Sequence, residues 1–441
     1  MKDKPYPHYK ASPISWLDRM PQHWDAASLR WLSRRYAGGT PDKGNDAYWE
    51  DGEIPWLNSG SVNDDYITQP SELITREGFA NSSAKWIPKG ALVMALAGQG
   101  KTKGMVAQLG IQTTCNQSMA AIIPDRRLVA RYIYWWLTAN YQNLRNLAGG
   151  EARDGLNLDL LGSVPCPLPP MLEQKAIVLF LDTKIREIDS LIAKKRDLIV
   201  KLKEKRSALI ARTVTRGLSP KSTKAADKDP EPLTMDRGAN WLGRIPAHWS
   251  AKSVRYLFIN CDSRRIPLSS EERADHEKLY PYYGASGVID MVDDYIFDEP
   301  LILVAEDGAN LLSRSTLLAF VATGKYWVNN HAHILKPLSG DIRYWVAVLQ
   351  TFDFSPLITG AAQPKLTADR LGSIRLPAPP ASEQSHIADY LDVETAKLDA
   401  LSATIGTAID RLVEYRQSLI TSAVTGQIDV RHWQASELQP A

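Results

Sequence analysis

The sequence predicts an α+β protein: two pseudo-symmetric, strand-rich globular domains joined by two long antiparallel coiled-coil helices. Three observations predict it. Trp16–Leu32 (WLDRMPQHWDAASLRWL) returns as Trp241–Leu257 (WLGRIPAHWSAKSVRYL), with ten of seventeen positions identical and no gap. Pro167–Asp182 (PLPPMLEQKAIVLFLD) returns as Pro377–Asp392 (PAPPASEQSHIADYLD), in the same order. Each second block leads into a long segment with apolar residues at seven-residue spacing, as a coiled-coil seam requires. A duplicated module suits a ligand with two comparable halves.

The spacing of these blocks divides the chain into a first globular domain (1–165), a helix (166–218), a polar linker (219–238), a second globular domain (239–375), a second helix (376–430) and a tail (431–441). In the first domain, Ile54–Val62, Ala91–Gly98 and Met119–Pro124 are short, apolar and bounded by turn residues, so they read as strands. Arg131–Ala139 (RYIYWWLTA) follows as an aromatic-rich helix. The second domain keeps the order, with strands at Leu301–Gly308 and His333–Pro337 and a helix at Arg343–Gln350 (RYWVAVLQ). The two domains share punctuation but little sequence, which predicts one scaffold with two different surfaces.

Met171 to Arg216 contains no Gly and no Pro. About forty helical residues make a rod of roughly 60 Å. Leu181, Ile188, Leu202 and Leu209 share one heptad position, interrupted by Lys195, and Ile185, Ile192 and Ile199 share another. The second copy keeps Leu391, Leu398, Ile405, Leu412 and Leu419 at strict seven-residue spacing. Gly406 weakens this helix by ~1 kcal/mol relative to Ala. The first helix carries a net charge of +6 and Ala381–Gly426 a net charge of −4. The two are therefore expected to pair with each other and act as a ruler between two heads.

Composition narrows the function. The chain has 441 residues, 44% hydrophobic and 23% charged, enough for two to three domains with proper cores. A net charge of +2 excludes a uniformly basic coat for nucleic acid, so any DNA affinity must come from local patches. Cys115, Cys166 and Cys261 have no CxxC spacing and read as reduced residues of a cytoplasmic protein. The N-terminal MKDKPYPHYK lacks the apolar stretch of a secretory signal, and no run approaches the ~20 residues of a membrane span.

Catalytic motifs are missing. Ala95–Thr102 (ALAGQGKT) ends like a phosphate-binding loop, but Ala95 replaces its first glycine. It reads instead as a Gly-rich hairpin that exposes Lys101 and Lys103 near a phosphate backbone. No Asn/Asp-Pro-Pro-aromatic methyltransferase signature occurs, nor G-x-S-x-G or H-E-x-x-H. His23 and His248 lie in the repeated Pro-x-His-Trp block, where packing is expected rather than catalysis. His331 and His333 have the H-x-H spacing of a metal site on a strand. The first copy has Asn116-Gln117-Ser118 there, so hydrogen bonding at a binding surface is expected instead.

Three motifs together resemble one family: Trp241-Leu242-Gly243-Arg244-Ile245-Pro246-Ala247-His248-Trp249, then Gly360…Gln363-Pro364-Lys365-Leu366, then Pro379-Pro380…Glu383-Gln384. The chain resembles, over essentially its whole length, the specificity (S) subunit of type I DNA restriction-modification enzymes, the HsdS family. The first copy departs at Asp18 for Gly, and at Arg153-Asp154-Gly155 for Gln-Pro-Lys. The resemblance implies two target recognition domains, each reading one half of a bipartite asymmetric site on double-stranded DNA. It implies helices that set the spacer and dock two methyltransferase (M) subunits. It implies no catalytic site or cofactor on the chain itself: S-adenosylmethionine belongs to the M subunits, and ATP and Mg to the restriction (R) subunit. A coiled-coil scaffold without nucleic acid, or a stand-alone nuclease or NTPase, is the alternative.

Arg or Lys suits guanine, and Asn or Gln suits adenine, while phosphate contacts position the reader. Candidate DNA contacts are Lys101, Lys103, Asn116, Gln117, Arg153 and Asn157 in the first domain. In the second they are Arg264, Arg265, Arg314, Asn330, His331, Gln363 and Lys365. Arg153 and Gln363 are the leading pair, because the repeat places them at one site after Gly150 and Gly360.

Overall fold

The computed structural model describes residues 5–98, 101–147, 156–218, 234–236, 241–242, 244–274, 278–308, 310–360 and 364–434. The chain forms two compact units. Unit 1 is Met1–Lys195 with Thr407–Ala441, and unit 2 is Arg196–Gly406. Each unit thus holds the first half of the long helix that follows its own sheets and the last half of the other one.

The apolar runs form the central strands. In unit 1, a five-stranded sheet runs in the order Ser33–Ala37, Met119–Pro124, Leu92–Ala95, Val106–Leu109 and Tyr66–Ile67. In unit 2, the order Phe258–Asn260, Ala332–Pro337, Leu301–Ala305 and Ala319–Ala322 repeats the first four strands of that arrangement. A second sheet completes each: Thr114–Cys115, Ile54–Leu57 and Glu72–Ile74 in unit 1; Gly287–Val292, Tyr280–Gly284, Lys325–Val328 and Phe297–Asp298 in unit 2. Leu92–Ala95 and Leu301–Ala305 are fully buried, which explains their unbroken apolar character.

Two expectations change in detail. Ile54–Val62 is a strand only to Leu57, because Asn58 turns the chain into a 3₁₀ helix by accepting from the Gly60 amide at 2.9 Å. The segment read as a linker contains the strand Thr234–Asp236, which pairs antiparallel with Arg244–Pro246. Tyr9–Ala11 pairs with Arg19–Pro21 in the same way, so the repeated module starts before its conserved tryptophan.

The repeated words are the two sides of a latch. In unit 1, Trp24 Nε1 donates to the Glu173 carboxylate at 2.9 Å, His23 Nε2 lies 2.8 Å from it, and the Tyr6 hydroxyl donates to it as well. In unit 2, His248 Nε2 lies 2.8 Å from Glu383. The neighbouring Gln174 accepts from the Val129 amide at 2.8 Å and donates to the Pro169 carbonyl at 2.9 Å. Gln384 does the same with Asp341 and Pro379, at 3.1 and 2.9 Å. Further along, Arg131 meets Asp182 at 2.9 Å and Arg343 meets Asp392 at 2.7 Å. His, Trp, Glu, Gln and Asp recur because together they fix the hairpin, the aromatic helix (Ala130–Ala139 or Ile342–Thr351) and the start of the long helix.

The long helices span Met171–Arg216 and Ala381–Val424 and pack antiparallel in each unit. In unit 1, Leu181, Ile185, Ile188 and Ile192 share a core with Leu419, Ile420, Ala423 and Val424, with Leu412 packed against it. In unit 2, Val214 joins Ile387 and Leu391, with Leu209 packed alongside. Leu202 and Ile405 are buried and Leu398 is half-buried. Charge pairing is sparser than the net charges predict. Two interhelical ion pairs occur among the described residues, Arg416–Asp189 at 2.8 Å and Arg206–Asp399 at 3.1 Å. The seam positions are mostly apolar, so Lys194, Arg196, Lys201, Lys203 and Lys205 stay exposed. No described helix is long and apolar enough to cross a membrane.

Gly426, after the second helix, has φ 72°. A Cβ there would lie 2.4 Å from Pro21 and 3.1 Å from Trp24. Gly426→Ala is expected to destabilise unit 1 by more than the ~1–2 kcal/mol of left-handed backbone. Gly406→Ala, with open space around its Cβ, is expected to stabilise by roughly 0.5–1 kcal/mol. Thermal unfolding of the two variants checks the opposite signs.

Candidate nucleic-acid interface

The central strands of both units end in loops tied together by the same backbone bonds. In unit 1, the Leu96 amide donates to the Ser118 carbonyl at 2.8 Å, and the Leu156 amide to the Leu96 carbonyl at 2.9 Å. In unit 2, Glu306 donates to His331 at 3.0 Å, and Leu366 to Glu306 at 2.7 Å. Asn116 donates to Leu57 and Asn329 to Tyr283, both at 2.9 Å. A short helix follows in each, Leu158–Ser163 and Ala368–Ser373, capped by Asn157 and Thr367. The backbone is therefore one device built twice.

The side chains on it differ. Where unit 1 has Leu96, Ser118 and Ala120, unit 2 has Glu306, His331 and His333. His333 is 1% exposed. Its Nδ1 lies 2.6 Å from Asp262 and its Nε2 lies 2.8 Å from the Leu366 carbonyl. Both ring nitrogens face acceptors, so the geometry favours the doubly protonated imidazolium. Burial opposes that charge, but the Asp262 carboxylate, the Leu366 carbonyl and nearby Glu306 outweigh it and raise the His333 pKa. Glu306 is also buried and Asp262 largely so, which opposes their charge. His333 holds the pKa of Asp262 below the usual carboxylate value, and Arg265 does the same for Glu306. Lys365 reaches Glu306 at 3.1 Å.

Asp262, Glu306 and His333 lie close enough to suggest a metal site. Their lone pairs are otherwise engaged, since His333 spends both nitrogens and Arg265 and Lys365 hold Glu306. The arrangement is an internal ion network. His333 is consequently inside the protein and not at a binding surface, because its strand is covered on both faces from Ala332 to Leu335.

The sequence candidates of unit 2 mostly converge here. Arg265 donates to the Ala332 carbonyl at 2.8 Å and to Glu306. Exposed Asn330 follows the same turn, and His331 Nδ1 lies 2.8 Å from Asp307. Lys365 pairs with Asp307 through a backbone bridge. Arg265 is largely buried and structural, because two carboxylates draw it inward. Arg264 points elsewhere, to Glu299 at 3.2 Å and over the Phe297 ring. Arg314 has φ 50° and donates to the Gln350 carbonyl, away from the cluster.

In unit 1, exposed Gln117 accepts from Thr40, and Asn116 beside it is half-buried, with its Oδ1 unpartnered among the described residues. Lys101 is exposed, but Lys103 is buried. The hairpin closes onto the end of the central strand Leu92–Ala95 through Gly104 N to Ala95 O at 2.9 Å, and Arg145 donates to the Lys103 carbonyl at 3.3 Å. Asn157 is committed to capping, accepting from Asp159 and Leu160 at 3.0 and 2.8 Å. Arg153 and Gln363 lie outside the described residues. Sequence reasoning missed Asp262, Glu306 and Asp307. The available signal was Glu306-Asp307 directly after the buried run Leu301–Ala305, where the first copy has Leu96-Ala97.

Comparison with known proteins agrees with this duplicated architecture. The family described as type I restriction modification DNA specificity domain matches residues 33–200 and again 252–411. A Haemophilus influenzae protein named as a type I restriction enzyme specificity subunit is 34% identical over 136 residues, 31% of this chain and 34% of the relative. The EcoR124I/EcoR124II specificity subunit of Escherichia coli is 28% identical over 41% of this chain and 45% of its own length. The chain thus spans less than half the length of these relatives in the alignments. The EcoprrI specificity subunit of Escherichia coli aligns over 91% of this chain and 94% of its own length at 20% identity. Among solved structures, the HsdS subunit from Thermoanaerobacter tengcongensis shares the fold, with a TM-score of 0.54 at 14% identity over 93% of this chain and 98% of that one. A chain from a type I R-M system shares it at a TM-score of 0.70 and 15% identity, over 93% of this chain and 99% of that one. With two matches that together cover most of its length, this chain belongs to the type I restriction-modification DNA specificity family.

Proposed function

We propose that this chain is the DNA-sequence specificity subunit of a type I restriction-modification enzyme. Each unit reads one half of a bipartite, asymmetric site on double-stranded DNA. The chain itself is non-catalytic; its long helices set the spacer and dock two methyltransferase subunits, which bring S-adenosylmethionine. Restriction subunits, with ATP and Mg, are the remaining partners of this cytoplasmic assembly. The observation that carries the reading is one scaffold built twice with different side chains on the same loop cluster. Equivalent loop backbones with divergent side chains are what two different half-sites require.

Lys101, Asn116 and Gln117 in unit 1, and Asn330, His331 and Lys365 in unit 2, are the proposed contacts within the described residues. Arg153 and Gln363 stay proposed on the repeat alignment. Exchanging residues 25–165 for the equivalent region of a relative is expected to change one half of the modified sequence and leave the other intact. Mapping methylated adenines on a DNA library with the full chain and its methyltransferase subunits reads this out. A change in both halves, or in neither, would refute the two-reader proposal.

A further inference from the structure

We infer that the buried network of Asp262, Arg265, Glu306 and His333 is the positioning element of the second copy's reading edge, and that it makes unit 2, but not unit 1, sensitive to pH. The inference rests on the DNA-reading proposal above and adds to it which residues hold one reader in place and how the two readers differ.

Three separated stretches meet at this network. Asp262 follows the strand Phe258–Asn260, and its second oxygen accepts from the Ile334 amide at 2.7 Å. Glu306 closes the strand Leu301–Ala305, and His333 lies on Ala332–Pro337. The fourth participant is the chain at Pro364–Leu366: Gly308 donates to Pro364 at 3.1 Å, Leu366 donates to Glu306, and the Leu366 carbonyl takes the His333 Nε2 hydrogen. Thr359 and Lys365 exchange backbone bonds at 2.9 and 2.8 Å. Lys365 and the Asn330-His331 turn, the exposed polar groups of this edge, are thus anchored on buried charges. Apolar packing of the neighbouring Leu366, Ala332 and Ile334 holds the same stretches.

Unit 1 anchors the same loops differently. The register that pairs Ala37 with Ala120 is the register that faces Asp262 with His333. The positions of Asp262, Glu306 and His333 are therefore Ala37, Leu96 and Ala120 in the first copy. These three positions carry no titratable group.

The charges that face His333 are Asp262 and Glu306, with Arg265 and Lys365 behind Glu306 and Asp307 on His331. Because the folded His333 is held charged above its ordinary pKa, the network is intact below that ordinary value. It is lost as pH rises through the raised one. The two carboxylates act at the other end, failing only as pH falls through their depressed values. Neutral His333 cannot donate from both nitrogens, so the Leu366 or the Asp262 bond must break on the alkaline side.

The test follows backbone amide exchange of the full chain between pH 6 and pH 9, corrected for intrinsic base catalysis. Exchange at Glu306 and Leu366 is expected to rise at least tenfold more than at Leu96 and Leu156. The triple variant Asp262→Ala, Glu306→Leu, His333→Ala, which installs the side chains of the first copy, should lose that difference, and combining it with Arg265→Leu removes the guanidinium it would leave unpaired, so that folding is kept. Equal pH profiles in the two units, or a triple variant that keeps the wild-type profile, would overturn the inference. A second arm selects randomised DNA duplexes with the full chain and its methyltransferase subunits at both pH values. One half of the selected consensus should weaken at pH 9 while the other persists. Equal weakening of both halves overturns the asymmetry. Selection of no consensus at either pH, with the exchange difference present, refutes DNA reading and leaves the positioning network supported.

Discussion

Replacing Ile420 by Asp is expected to abolish the cooperative folding of unit 1 and leave unit 2 folded. Ile420 is fully buried, yet in sequence it lies beyond all of unit 2. Its helix delivers Leu419, Ala423 and Val424 to the same core, and the Tyr9 hydroxyl donates to the Gly426 carbonyl at 2.9 Å just after it. An unpaired carboxylate in that core costs several kcal/mol, the order of a domain's whole stability of about 5–15 kcal/mol. The mirror variant, Val214→Asp, should unfold unit 2 alone, since Val214 is buried in its core and its carbonyl accepts from Tyr344 at 3.2 Å. Hydrogen exchange resolved by unit reads both variants. Loss of protection in the wrong unit, or in neither, would show that the helix ends do not belong where they are placed.

The second large effect is an asymmetry between two equivalent glutamates. Glu173→Ala is expected to cost about 3–5 kcal/mol, because it strands the buried Tyr6 and Trp24 donors, which have no water to turn to. Glu173 serves Tyr6, His23 and Trp24 at once and is almost completely buried. Glu383→Ala should cost about 1 kcal/mol or less, since His248 is more than half exposed and can bond to water. The Trp249 indole already lacks a partner among the described residues, so it loses nothing. Chemical denaturation followed at each unit measures both costs. Comparable losses would mean that the latch stabilises through packing of the glutamate stem and not through its hydrogen bonds.

The regular elements were legible in the sequence because their signals are local. Met119–Pro124 and Leu301–Ala305 announce themselves as apolar runs between turns, and the helices by heptads such as Leu391 to Leu419. The repeat marked His23 and His248 as packing residues, but that Trp24, Glu173 and Gln174 complete the interlock follows only from the contacts of the fold. The site was less legible. Charge and amide content singled out Lys103, Asn157 and Arg265 as DNA contacts. Their positions in the fold turn them into a buried lysine, a helix cap and a core ion pair.

The sequence by itself therefore determined the duplicated α+β plan, the helices and their seam, all of which follow from patterns within a few turns of chain. Tertiary structure alone decided that each unit closes with the end of the other copy's helix. It also decided that Asp262, Glu306 and His333 form one network, so that buried charges join apolar packing in holding the loop scaffold of one copy, where the other has Ala37, Leu96 and Ala120. The reason is separation along the chain: Asp262 and His333 are 71 residues apart, and Tyr9 and Gly426 are 417 apart. No local propensity reports a bond across such a distance, and only the closed core makes it.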